Sequence, residues 1–165
     1  MPRAIHAMPF SDHDQAAMRL AIDASLQARA RGDSPFGATL VSPAGEVLLV
    51  AQNNQNTTQD CTGHAEMVLV REAAAALGPQ ALKGATVYAS GEPCAMCSGA
   101  MFWAGIARVV FAATQQDIAQ ALGGPVLPTG CEELLSAARP TVAVQHGLLR
   151  AEAAAALRGA VASAG

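Results

Sequence analysis

Two short stretches bring together residue types that hold metal ions and move protons: His64-Ala65-Glu66 and Pro93-Cys94-Ala95-Met96-Cys97. One imidazole and two thiolates suit zinc. Three protein ligands leave the fourth corner of a tetrahedral ion to water, the arrangement of a catalytic rather than a closed structural site. Glu66, two residues past the histidine, is the carboxylate placed to exchange protons with that water. Taken alone, Cys-x-x-Cys also fits a redox pair or half of a structural zinc site, and His-x-Glu says little. A redox pair belongs just after the first strand of a thioredoxin-like pattern, which is not its position here. A structural-zinc module would need a fourth Cys or His, and none is placed to serve.

Elements that begin at these residues would bring them together. The segment from His64 to Leu77 reads as a helix ending at Gly78-Pro79, and Cys94 to Ala104 as another stopped at Gly105. At i and i+3 on one helix, Cys94 and Cys97 share a face. Two helix N-termini converging on one ion would also favour thiolates. Upstream, Ser11 is an N-cap with Asp12 and Asp14 in the first turn of a helix that ends near Arg31-Gly32. Strands over 36–41 and 46–51 flank the turn at Pro43-Ala44-Gly45, and an amide-rich polar loop follows over 52–60. Downstream come strands over 86–89, 108–112 and 141–145, a weak helix over 115–122, and a turn-rich break over 123–128. A short helix over 132–138 and a final one over 150–158 complete the chain. The pattern predicts an α/β fold, one domain over 1–165 with its core at about 11–158, loose ends at 1–10 and 159–165, and helices on both faces of a sheet.

Composition narrows the function. Of 165 residues 52% are hydrophobic and 14% charged, yet no run approaches the ~18 apolar residues of a membrane span. The excess suits alanine-rich helices and a surface that a second subunit could cover. The start of the chain lacks the apolar region of a secretory signal, so a cytoplasmic location is expected. Four cysteines, at 61, 94, 97 and 131, do not form a disulfide pattern for a chain this long. Ten Lys and Arg against thirteen Asp and Glu, with no basic cluster, weigh against a nucleic-acid footprint and for a small substrate.

The combined motif resembles the signature of zinc-dependent nucleobase and nucleoside deaminases. The resemblance is to the branch with bacterial guanine deaminases and tRNA adenosine deaminases, and covers about residues 11 to 158. It rests on Pro35-Phe36-Gly37-Ala38, Asn53, Thr62-Gly63-His64-Ala65-Glu66, Glu92-Pro93-Cys94-Ala95-Met96-Cys97 and Gly99-Ala100-Met101-Phe102-Trp103. It implies a three-layer α/β/α fold with a five-stranded mixed central sheet, a homodimer, and hydrolytic deamination of a heterocycle by water. His64, Cys94 and Cys97 would hold one Zn2+ per chain, with Glu66 as the acid/base. Asn53, eleven positions before the zinc histidine, would hydrogen-bond the base, and the Gly63 backbone would add a contact. Phe36 and Trp103 match aromatic positions of the pocket, although each also suits plain packing. Glu92 reads as a supporting residue, Cys61 and Cys131 as ordinary small apolar residues, and Asp117 has no assigned role.

The sequence departs from both branches. The tRNA enzymes carry a basic terminal helix, whereas here Leu149-Arg150-Ala151-Glu152 leads into alanines. Guanine deaminases of this type carry a Phe-Asp-Asp-like stretch after the fourth strand, where this chain has Leu122-Gly123-Gly124-Pro125. Cys61 and Gly63 stand where relatives usually have proline and alanine. The expected substrate is a free nucleobase or similar aminated heterocycle, guanine-like first and cytosine-like second. A tRNA adenosine deaminase is the nucleic-acid alternative.

Overall fold

Ser11 and Asp14 start the first helix by closing a reciprocal capping box: Ser11 Oγ accepts from the Asp14 amide, and the Asp14 carboxylate accepts from the Ser11 amide. The computed structural model describes residues 9–159; most of the two expected loose ends lies outside them. In chain order the elements are α1 (Asp12–Ala30), β1 (Gly37–Val41), β2 (Val47–Gln52), α2 (Gln55–Thr58), α3 (Ala65–Leu77), β3 (Thr86–Gly91) and α4 (Ala95–Ala104). They continue with β4 (Arg108–Ala113), α5 (Gln115–Leu122), α6 (Cys131–Leu135), β5 (Ala143–His146) and α7 (Arg150–Leu157).

The polar loop departs from expectation by containing α2. Its cap comes from a distant residue: Asp33 accepts hydrogen bonds from the amides of Asn56 and Thr57 and from Thr57 Oγ1. No local pattern announces a cap supplied from beyond the hairpin. Asp117, unassigned from sequence, has a structural place. It closes a second capping box with Thr114 and accepts both hydrogen bonds of Arg150, at 2.8 and 3.0 Å, tying α5 to α7.

The sheet is five-stranded and mixed, in the order β2-β1-β3-β4-β5. Strand β1 runs antiparallel to β2 and β3, while β3–β4 and β4–β5 are parallel. Strands β1, β3 and β4 are buried along nearly their whole length, because helices cover both faces of the sheet. One apolar cluster packs Val68, Leu69, Met101 and Leu135 of α3, α4 and α6 against one face. The other packs Met18, Ile22, Ala153 and Leu157 of α1 and α7 against the opposite face. The expected three-layer fold is present. This connectivity brings the start of β1 and the ends of β2, β3 and β4 to one edge of the sheet. Gly37 pairs with Gln52, the Gly37 amide donates to Ser90 Oγ, and Gly91 pairs with Ala113.

One buried polar cluster fastens α1 to the sheet. Asp14 Oδ1 accepts from Tyr88 Oη at 2.5 Å and from Arg108 Nη1 at 2.9 Å. Burial opposes ionisation of Asp14, but these hydrogen bonds outweigh it and hold the carboxyl at about 2. A depressed carboxyl stabilises the fold above its unfolded value near 4, and the contribution is lost as pH falls toward 2. Allowing for solvent screening at the Arg108 end, it is worth about 1–2 kcal/mol at neutral pH. Asp14→Asn is therefore expected to lower the Tm by about 3–6 °C at pH 7, with the gap to wild type closing below about pH 3. An equal gap at both pH values would show that the ion pair contributes nothing.

Candidate active site

The residues with chemical capability meet where the strand ends converge. Phe36 precedes β1, Asn53 follows β2, Glu92 to Cys94 follow β3, and Gln115 opens α5 just after β4. Together with Glu66 and His64 they line a cavity of about 350 Å³, set as ligand sites commonly are beyond the ends of sheet strands.

His64 and Cys94 occupy the N-cap positions of α3 and α4, both in extended backbone conformation, and neither side chain caps its own helix. An N-cap of Ser or Asp would stabilise either helix by about 1 kcal/mol more. Instead both side chains turn toward each other. His64 Nδ1 lies 3.5 Å from Cys94 Sγ and 3.5 Å from Cys97 Sγ, and the two sulfurs are 3.6 Å apart. A tetrahedral zinc with Zn–S near 2.3 Å and Zn–N near 2.0 Å has N···S edges of about 3.5 Å and S···S edges of about 3.8 Å. The three ligand atoms thus already form one face of such a tetrahedron, and these residues could hold the ion. The electrostatics suit it. The Cys97 thiol, more than burial opposes, and then His64 and the Cys97 amide bring Cys94 down to about 4. Cys97, beside that thiolate and buried, is pushed far up.

Glu66 lies in the first turn of α3, 4% exposed, with its side chain on the cavity. Burial is the main cause that pushes its carboxyl up to about 7, placing both protonation states within reach at neutrality.

The other sequence-derived residues divide. Phe36 lines the cavity, its ring against Gly91, where a Cβ would come within 2.7 Å of Phe36 Cε1. Asn53 lines it too, and its side-chain amide also forms a turn. Asn53 Oδ1 accepts from the Gln55 amide at 3.0 Å, and Nδ2 donates to Gln55 Oε1 at 2.7 Å. These bonds lock the amide against flipping and leave one N–H and one lone pair for a ligand. Gln55 was not singled out from sequence, because in a run of amides nothing distinguishes the one that faces inward.

Gly63 and Trp103 stand apart from the cavity. The Gly63 amide donates to Asp60 O and its carbonyl accepts from Asn54 N, while a Cβ there would fall 2.4 Å from Asn54 Oδ1. The glycine is required by packing under the loop, and its N–H is engaged within that loop. Trp103 is 84% exposed, edge-on to Phe102 at 5.0 Å. It lies nine residues past Cys94 along α4, about 13 Å of helix rise, and is not among the residues that line the cavity. Cys131 is buried in the core, and Cys61 is exposed.

Residues 122–129 supply the remaining wall, with Leu122, Gly123, Pro125, Val126, Leu127 and Thr129 on the cavity. No lysine or arginine lines it among the described residues.

The chain is similar to known proteins. The family described as "Cytidine and deoxycytidylate deaminase zinc-binding region" matches residues 11–113. The tRNA-specific adenosine deaminase of Bacillus subtilis is 42% identical over 100 residues, covering 61% of this chain and 62% of that protein. The guanine deaminase of the same organism is 42% identical over 87 residues, covering 53% of this chain and 55% of its own length. The match therefore spans little more than half the length of these relatives. A solved guanine deaminase from Nitrosomonas europaea superposes with a TM-score of 0.76 at 25% identity, over 98% of this chain and 88% of that one.

Proposed function

The chain belongs to the cytidine and deoxycytidylate deaminase family defined by this zinc-binding region, and we propose that it is a zinc-dependent aminohydrolase of a free nucleobase or related aminated heterocycle, guanine-like first and cytosine-like second. The observation that carries the proposal is the His64–Cys94–Cys97 triangle opening on the same cavity as buried Glu66.

His64, Cys94 and Cys97 would hold a zinc ion, which when bound would make water acidic enough to supply the nucleophile near neutrality. Glu66 would accept one proton from the attacking water and deliver it to the ring nitrogen beside the amine-bearing carbon; it would then take the second proton from the hydroxyl newly bonded to that carbon and pass it to the amine, which leaves as ammonia as the carbonyl forms. Asn53, with its amide locked by Gln55, offers one donor and one acceptor to the edge of the ring and fixes its orientation. Phe36, Ile118 and Leu122 provide apolar surface against which a flat ring can pack.

The two Bacillus subtilis relatives, one acting on tRNA and one on guanine, are equally identical to the chain, so their names do not rank the substrates. The cavity favours a free heterocycle: phosphates are gripped by lysine and arginine, and neither lines it among the described residues. A homodimer fits the apolar outer surface at the end of α4, where Trp103 is exposed.

The test is an ammonia-release screen over guanine, cytosine, isocytosine, adenine, aminotriazines, their nucleosides and a tRNA anticodon arm. Turnover of a free base is expected, and turnover of the anticodon arm alone would reverse the ranking.

A further inference from the structure

We propose that Glu92 is a positioning residue whose carboxylate clasps both ends of the cavity's outer wall and fixes that wall to the turn bearing Cys94. The inference rests on the reading that this cavity receives the substrate. Glu92 Oε1 accepts from the Gln115 amide at 2.9 Å, and Oε2 accepts from the Cys131 amide at 3.0 Å. Those amides belong to the first residues of α5 and α6. Between α5 and α6 the chain has no regular structure, and Gly123 and Gly124 adopt positive φ. The position of this stretch depends on its anchored ends, with one further tie where Gln115 Nε2 donates to Leu127 O at 2.6 Å. The Glu92 amide donates to Ala113 O, holding the clasp to the end of β4.

The chemistry selects a glutamate. Two amides pointing at one side chain need two acceptors on one group, and a carboxylate is acceptor-only at both oxygens. A glutamine would turn its NH2 toward one of the amides. An aspartate is one methylene shorter, so it cannot span both partners from the same backbone position. Gly130 leaves room for the carboxylate, since a Cβ there would fall 2.6 Å from Glu92 Oε2. The wall that shapes the substrate is in this way tied to the residue two positions before a metal ligand, through a residue that itself performs no chemistry.

Glu92→Gln is expected to raise KM about tenfold, the cost of one charge-assisted hydrogen bond, with kcat changed less than about threefold. It should narrow the discrimination between bicyclic and monocyclic substrates and leave the zinc content intact. Hydrogen exchange of the amides over 115–131 should quicken, while exchange in the central strands stays unchanged. Gly130→Ala, which crowds the carboxylate without altering it, should give the same signature, and the two changes combined should be less than additive. It serves alone if Glu92→Gln does not fold. Unchanged KM, selectivity and exchange would overturn the proposal. So would kcat, zinc content and Tm falling together at constant KM, which is what a purely structural residue would give. If the wild-type protein turns over nothing, the proposed function fails, and exchange over 115–131 still decides for or against the clasp.

Discussion

Glu66→Gln is expected to keep zinc at one equivalent per chain and to cut ammonia release by about 10²–10⁴-fold, the range for loss of a positioned acid/base. The glutamine is isosteric and retains an acceptor, so the cavity keeps its shape. It cannot carry the water's two protons, one to the ring and the other to the leaving amine. Glu66 is 4% exposed, and replacing a buried ionisable group with a neutral one is expected to leave the Tm unchanged or raised. That separates loss of chemistry from loss of fold. Ammonia release at the wild-type rate would remove Glu66 from the proposed mechanism, whatever the zinc content.

Removing the metal should have a comparable effect. Dialysis against a strong chelator is expected to abolish turnover, and one equivalent of zinc per chain should restore it. The same treatment should lower the Tm, because an ion that binds only the folded triangle adds its binding free energy to stability. Cys97→Ala sharpens the test. Cys97 is wholly buried beneath the cavity, and the change leaves only His64 and Cys94 as protein ligands. The variant should purify without zinc and should not be rescued by adding it. Full turnover in metal-free protein would refute the proposed zinc chemistry.

Much of the fold was legible because its signals are local. Ser11 with Asp14 three residues on, Pro43-Ala44-Gly45, and the glycines after α1, α3 and α4 mark the ends of elements through backbone chemistry that operates within a turn. Helix α2 was not legible, because Asp33, which caps it, reaches the loop only after the hairpin has folded. The same distinction separates Asn53 from Gln55. A motif at fixed distance from His64 pointed to Asn53, whereas Gln55 shares the cavity only because its side chain and that of Asn53 bind each other.

By itself, the sequence determined that an imidazole and two thiols would stand at two helix starts, with a carboxylate in the first turn of one of them. Spacing along a helix is dictated by the backbone, so i and i+3 sulfurs share a face in any context. Tertiary structure alone decided how these parts meet their surroundings. The fold brings His64 Nδ1 within 3.5 Å of sulfurs thirty or more positions later, and it buries Glu66 so that its carboxyl rises to about 7. It also directs Trp103 outward and stretches Glu92 between two helix starts. Each of those outcomes depends on which strands lie side by side at one sheet edge. That order is set by long-range packing on both faces of the sheet, and no local pattern in the chain encodes it.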